Sequence, residues 1–494
     1  MTQRITIDPI TRLEGHGKIE IFLDERGDVA NTYFQIPELR GFERFCVGRP
    51  VEEMPLLTNR ICGVCPEAHH LAAAKAADAV YGVDPPRTAK LLRELLYCAF
   101  FVTDHTTHFY ALGGPDVILG PDTPVADRNI LGVIRKVGLE FGSRVIETRR
   151  GGHRVIELIG GRRIHPCTSV PGGQTKGITA DERNEIEGIA RSMLDFAGTS
   201  LDVFDTIMTD GPTRDLVLGD LFRHETYYAG LVDEAGRVAL YDGRVSVVAP
   251  DGESLGTYAP AEYRDWIAEH VEPWTYLTFP YLKRIGWKGF VDGKDSGVYC
   301  VGPLGRLNAA NGMATPRAQA AYERYFATLA PAVDGRRELV HQRGASHWAR
   351  LIEMLYAAER MLELVADPEI TSDNVRTVPT QPPTEGVGTV EAPRGTLTHH
   401  YWTDERGILT RVNLIVGTTN NHAPIAMSID RAARGLIRAG VVVDNGLLDR
   451  IEMAFRSYDP CFGCATHSLP GHMPLQVTIR DSHGDTLDVL RRDD

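Results

Sequence analysis

No stretch of this sequence approaches the ~18 continuous apolar residues that span a bilayer, so no membrane insertion is expected. There is no long run of Lys and Arg either, and the formal net charge is −13. That balance argues against nucleic acid and anionic membranes as partners. The opening Met1-Thr-Gln-Arg-Ile-Thr-Ile-Asp8 lacks the charged-then-apolar layout of a secretory signal, which makes a cytoplasmic location the expectation. No GxGxxG followed by an acidic residue is present, so no dinucleotide-binding fold is expected. Beyond two CxxC pairs there is no further spaced cysteine cluster that could carry an iron–sulfur relay. Internal repeats and low-complexity tails are also missing.

What is present is an ordinary globular composition, 43% hydrophobic and 24% charged over 494 residues, enough for a large core. Two cysteine pairs stand near opposite ends: Cys62-Gly-Val-Cys65, within Arg60-Ile-Cys-Gly-Val-Cys-Pro-Glu-Ala-His69, and Cys461-Phe-Gly-Cys464, within Asp459-Pro-Cys-Phe-Gly-Cys-Ala-Thr-His467. A zinc ribbon closes its two pairs within roughly 15–20 residues. Here 399 positions separate Cys62 from Cys461. Four thiolates so far apart can share a thiophilic metal only if a whole fold assembles them, which points to a reactive centre between rigid elements. Cys46, Cys98, Cys167 and Cys300 are scattered and read as buried free thiols.

The first forty residues alternate as strands: Ile5–Ile7, Gly17–Leu23 and Val29–Ile36, with a Glu25-Arg-Gly27 turn. From Pro66 the pattern turns helical, and Ala72, Ala73, Ala74, Ala76 and Ala77 would let neighbouring helices approach closely. Further helices are expected at about Thr88–Leu112, Ala180–Ile207, Pro316–Leu329, Ser346–Ala366, Pro424–Ala439 and Gly446–Tyr458, the last capped from Asp444-Asn-Gly. A β-rich insertion is expected at about 228–262. Loops rich in Gly and Pro are expected at 113–124, 170–177 and 380–396. The expected class is α+β, predominantly helical, with a central helix bundle and small peripheral sheets.

The two cysteine frames, together with Arg12-Leu-Glu-Gly-His16, Arg40-Gly-Phe-Glu43, His108-Phe-Tyr110, Pro115-Asp116, Glu391-Ala-Pro-Arg-Gly395 and Thr418-Thr-Asn-Asn421, resemble the large, catalytic subunit of nickel–iron hydrogenases over nearly the whole chain. Arg394-Gly-Thr-Leu-Thr-His-His-Tyr401 and Val301-Gly-Pro-Leu-Gly-Arg306 look most like the cytosolic, bidirectional NAD-linked branch. The methyl-viologen-reducing branch that feeds a heterodisulfide reductase is next. Phe462-Gly463 stands where the NAD-linked branch commonly has Leu-Ser, and Gly417 where many relatives have Ala or Pro.

The resemblance implies a nickel–iron centre with CN and CO ligands on iron. Cys62 and Cys461 would be terminal nickel ligands, while Cys65 and Cys464 would bridge the metals. It makes Glu14 the proton relay from the Cys461 thiolate, and Arg394 a guanidinium over the metals with Asp116 and Asp459 as carboxylate partners. Pro393 and Thr418 would line the cyanide pocket, and His69 would donate to a bridging sulfur. Glu43, the Leu414 carbonyl and His467 would bind a buried Mg2+. Read without the resemblance, Glu14 could simply bond a backbone N–H near a turn, and His69 could be a packing residue.

The implied reaction is reversible heterolytic oxidation of H2. Its electrons would pass to a small iron–sulfur subunit, then on to a diaphorase module carrying flavin and NAD. The small subunit is expected where the N-terminal sheet meets the Cys62 region. A maturation protease and nickel-insertion proteins are further implied partners, with 468–494 a cleavable C-terminal extension of one 1–494 domain. The competing reading is a metal-free paralogue with an assembly or structural role. Retention of all four cysteines, Glu14, Arg394 and His467 argues against it. A quinone-binding relative of respiratory complex I, which lacks these cysteines, is remote.

Overall fold

The computed structural model describes residues 4–8, 10–211, 213–334, 337–466, 475–480 and 486–492. Four long helices, Arg87–Thr107, Leu139–Gly160, Ala180–Asp210 and Ser346–Ala366, pack in a ring as a central bundle. Their facing sides are apolar, as burial in a bundle demands. Helix Ala180–Asp210 starts on a capping box in which Thr179 and Glu182 satisfy each other's backbone donors. The α+β class with helices dominant holds.

Small sheets surround the bundle. Arg4–Ile7, Lys18–Leu23 and Val29–Gln35 form an antiparallel three-stranded sheet, as the alternation predicts. The stretch expected to be β-rich, about 228–262, contributes a sheet of Tyr227–Val232, Arg244–Val248 and Ser254–Tyr258. It is joined in parallel by Tyr299–Cys300, a pairing too distant in sequence for local pattern to reveal.

Two expectations are corrected. Glu385–Ala392 is a buried strand, not loop, and it pairs with Gly395–Thr403, which pairs with Leu409–Ile415. Leu139–Gly160 is a further helix for which the sequence pattern, broken by many Arg and Gly residues, gave no expectation. The regular turn of helix Arg87–Thr107 ends short of the expected Leu112, and His108–Gly113 and Pro115–Leu119 continue as wider π turns.

The alanine-rich helix Pro66–Val80 packs chiefly on strand Glu385–Ala392, not on another helix. Its small side chains meet glycines. A Cβ at Gly388 would lie 2.2 Å from Ala72 O and 2.3 Å from Ala76 N. Gly388→Ala is therefore expected to destabilise the chain by about 1–3 kcal/mol or more through overpacking. Thermal unfolding checks this, and an unchanged transition would show that the helix can shift without penalty.

Candidate metal centre

Cys62 and Cys65 lie in the turn that leads into helix Pro66–Val80, with Cys65 at its N-terminal cap. Cys461 caps, and Cys464 lies within, the short helix Phe462–Ala465 that follows helix Asn445–Arg456. The fold brings them together: one sulfur from each lies within 4.8 Å of the others, and all four residues are buried. Across the frames Cys62 Sγ is 3.4 Å from Cys461 Sγ, and Cys65 Sγ is 3.3 Å from Cys464 Sγ. The backbone N–H groups of Val64 and Cys65 both donate to Cys62 Sγ at 3.2 Å.

Four buried sulfurs this close cannot all ionise without a cation among them. Burial pushes the Cys461 and Cys464 thiols well up. Burial also works against ionising Cys62, but hydrogen bonds from the other three thiols and the charge of Arg394 outweigh it and bring Cys62 down. A metal would take the place of the shared protons, so loading should release protons. The donor set, four thiolates and nothing harder, suits soft transition metals.

Glu14 lies against the second frame. Its backbone forms a parallel bridge with Cys461, and its carbonyl accepts from Phe462 N at 3.0 Å. Its Oε2 accepts from Cys461 Sγ and from Gly463 N, each at 2.9 Å. Burial, then the charge of Cys62, raises its pKa above the usual carboxylate range. The Phe462-Gly463 departure has a local reason here. A Cβ at Gly463 would lie 2.6 Å from Glu14 Oε1. The Phe462 ring sits against Gly17 and Phe34, and a Cβ at Gly17 would come within 2.7 Å of it.

Arg394 is buried and paired with Asp104 at 3.2 Å and with Asp459 at 3.0 Å. Asp459 adopts a left-handed φ of 55°, a conformation uncommon for non-glycine residues. Burial raises Asp459 to about 7 and moves Asp104 in the same direction. The two aspartates keep Arg394 protonated although burial opposes it. A fixed cation orients; it does not act as a base.

Asp116 is a correction. It is not a partner of Arg394 but sits in close contact with Arg12 and Arg456. Asp449 joins them, 2.9 Å from Arg12 and 3.0 Å from Arg456. This cluster ties the Glu14 segment to the helix leading into Cys461. The place expected for Asp116 is taken by Asp104, which lies in the regular turns before the π segment. Its signal in the sequence was a carboxylate just after the apolar run Leu95–Val102 of a buried helix.

Thr418 Oγ1 accepts from the Cys461 backbone N–H at 3.0 Å. Pro393 adjoins Arg394, and its carbonyl accepts from Arg306 at 3.2 Å. Gly417 leaves no room for a side chain, since a Cβ there would lie 2.8 Å from Gly395 O. His69 is buried on the helix after Cys65 and hydrogen-bonds His399 at 3.2 Å. Glu43 and Leu414 are brought together, with Leu414 N donating to Glu43 Oε1 at 2.6 Å. His467 lies outside the described residues.

Sequence reasoning missed Arg306 as well as Asp104. Arg306 is fully buried and spends its guanidinium on Glu353, Glu391, the Ala392 carbonyl and the Pro393 carbonyl. It thus fixes the segment that ends at Arg394. A narrow cleft of about 130 Å³, lined by Val64, Glu67, Asp104, His153 and Ile164, reaches the same region.

The family model for nickel-dependent hydrogenases matches residues 40–121 and 294–467, and a HoxL-like model matches residues 4–39. The chain belongs to the nickel-dependent hydrogenase family and is of its catalytic, large-subunit type. Among its relatives, it is 46% identical over 99% of both chains to a protein of Archaeoglobus profundus named as an iron-sulfur subunit of F420-non-reducing hydrogenase. It is 37% identical to "NAD-reducing hydrogenase HoxS subunit beta" of Cupriavidus necator, over 100% of each. Among solved structures it resembles an NAD+-reducing [NiFe]-hydrogenase in the H2-reduced state, with a TM-score of 0.87 at 37% identity, covering 94% of this chain and 100% of that one. No helix among the described residues is long and apolar enough to cross a membrane.

Proposed function

We propose that this chain oxidises H2 reversibly at a nickel–iron centre held by Cys62, Cys65, Cys461 and Cys464. The observation that carries the reading is the buried four-sulfur cluster with the Glu14 carboxylate 2.9 Å from Cys461 Sγ. When bound, the metal pair supplies a Lewis acid beside a thiolate base, the combination that polarises and splits a very weak acid such as H2. Cys461 takes the proton and Glu14 receives it. The Gly463 N–H holds Glu14 Oε2 at that distance, and the raised carboxyl pKa suits it to carry a proton rather than remain a fixed anion. Arg394, locked by Asp104 and Asp459, presents positive charge toward the centre, where CN and CO ligands on iron would accept its hydrogen bonds beside Pro393 and Thr418. His69 would donate to a sulfur of the four-cysteine cluster and tune it.

Glu43 and the Leu414 carbonyl, with His467, would hold Mg2+ in a site rich in oxygen. Residues 468–494 are proposed to be removed after His467 by a maturation protease once nickel-insertion proteins have delivered the metal. Within that segment, 475–480 and 486–492 pair as an antiparallel ribbon. Intact mass of active enzyme should end at His467, and a mass that includes residues beyond it would reject the cleavage.

Electrons must leave through another polypeptide in the cytoplasm, a small iron–sulfur subunit. The sequence details of 394–401 and 301–306 favour a diaphorase module and NAD beyond it. The second reading, a methyl-viologen-reducing type feeding a heterodisulfide reductase, is favoured by the higher identity to the archaeal relative, 46% against 37%. Gentle purification followed by sequencing of the partners decides between them. A flavin- and NAD-binding companion supports the first and a heterodisulfide-reductase companion the second. Activity from this chain purified alone would contradict both.

A further inference from the structure

The two cysteine frames come from opposite ends of the chain, and no covalent link holds them in register. Arg40 touches both. Its backbone N–H donates to Thr466 O at 2.7 Å. Its Nη1 donates to Gly463 O at 2.9 Å and makes a close contact with Ile61 O, while Nη2 reaches Arg60 O at 3.4 Å. Ile61 directly precedes Cys62, and Gly463 directly precedes Cys464. The guanidinium carbon lies 4.9 Å from the Phe42 ring centre, which limits its sideways freedom. Gly41, with a φ of 63°, then turns the chain into the short helix Phe42–Cys46, which carries Glu43 to Leu414.

We propose that Arg40 is a positioning residue, a clasp that sets the N-terminal cysteine frame against the C-terminal one so that the four sulfurs meet at metal-binding separation. The inference rests on the metal-binding reading of the four cysteines. Arginine suits the task because its planar, permanently charged fork can donate to carbonyls on two segments at once. The ammonium of lysine is a point donor and cannot span both frames in the same geometry. The separations at stake are small: 3.4 Å between Cys62 and Cys461, and 3.3 Å between Cys65 and Cys464. A site of this kind tolerates only about 0.5 Å of looseness before its ligands stop acting together. Arg40 is itself at the surface, so its contribution is to the alignment of the frames more than to the core.

The test compares wild type with Arg40→Met and Arg40→Lys in the native complex. Nickel loss to a chelator should be about tenfold faster in Arg40→Met, the size of effect expected when charge-assisted bonds to two carbonyls are lost. X-ray absorption at the nickel edge should count fewer than four sulfur neighbours in that variant. Arg40→Lys should fall between the two, and it carries the test if Arg40→Met does not accumulate. Amide exchange of peptide 459–466 in metal-free protein should be faster in both variants. That arm reads the clasp even if the wild type holds no nickel, a result that would reject the metal reading alone. Wild-type metal retention, four sulfur neighbours and unchanged exchange in Arg40→Met would overturn the proposal. Full rescue by Arg40→Lys would do the same for the two-frame geometry.

Discussion

Serine in place of Cys65 is expected to give a folded chain without nickel and without measurable hydrogen uptake. The exchange alters volume little, so the packing around helix Pro66–Val80 should survive. It replaces a soft, ionisable sulfur with a hard hydroxyl that stays protonated, and Cys65 Sγ is one of the two sulfurs that meet across the frames at 3.3 Å. Four-ligand metal sites in small proteins are worth about 10–16 kcal/mol, so losing one ligand should weaken retention by on the order of 10²–10³-fold. Metal analysis and uptake assays on the purified complex check it. Stoichiometric nickel in Cys65→Ser would show that this sulfur is not a ligand.

The second large effect is expected at Glu14. Glutamine keeps the size and an acceptor for the Gly463 N–H, but it cannot carry a proton. Glu14→Gln should lower turnover by about 10²–10⁴-fold, the range for loss of a positioned proton-transfer group. Nickel content should stay the same, because Glu14 holds a thiol proton and a backbone N–H, not a metal. Exchange of H2 with D2O should fall in parallel with turnover. Normal turnover in this variant would send the proton by another route.

How much of this was legible in the sequence differs from residue to residue. The four cysteines, Glu14, Arg394 and Thr418 are brought together as expected, because each sits in a short frame whose local turn determines where the side chain points. Glu43 and Leu414, 371 positions apart, also meet. Asp116 went astray because a carboxylate's partner depends on which way a helix faces, and the π turns after Thr107 rotate everything that follows. Asp104, in the regular turns before them, took the role. Arg40 could not be read as a site residue because it acts through bonds to carbonyls, which leave no trace in side-chain identity, and Arg306 because its carboxylate partners Glu353 and Glu391 lie 47 and 85 positions away. The strand Glu385–Ala392 was mistaken for loop because Gly386 and Gly388 look like breakers. They are the places where the alanine-rich helix presses against the sheet.

The central claim is that four distant cysteines assemble a nickel–iron centre. Metal quantification on the anaerobically purified native complex, by mass spectrometry of the elements and normalised to this chain, tests it most directly. Beyond the iron accounted for by any iron–sulfur partner, about one nickel and one iron per chain are expected at the four-thiolate site. Both should be lost in Cys65→Ser and retained in Glu14→Gln. A complex that contains zinc alone in the four-sulfur site, or no metal, would contradict the account.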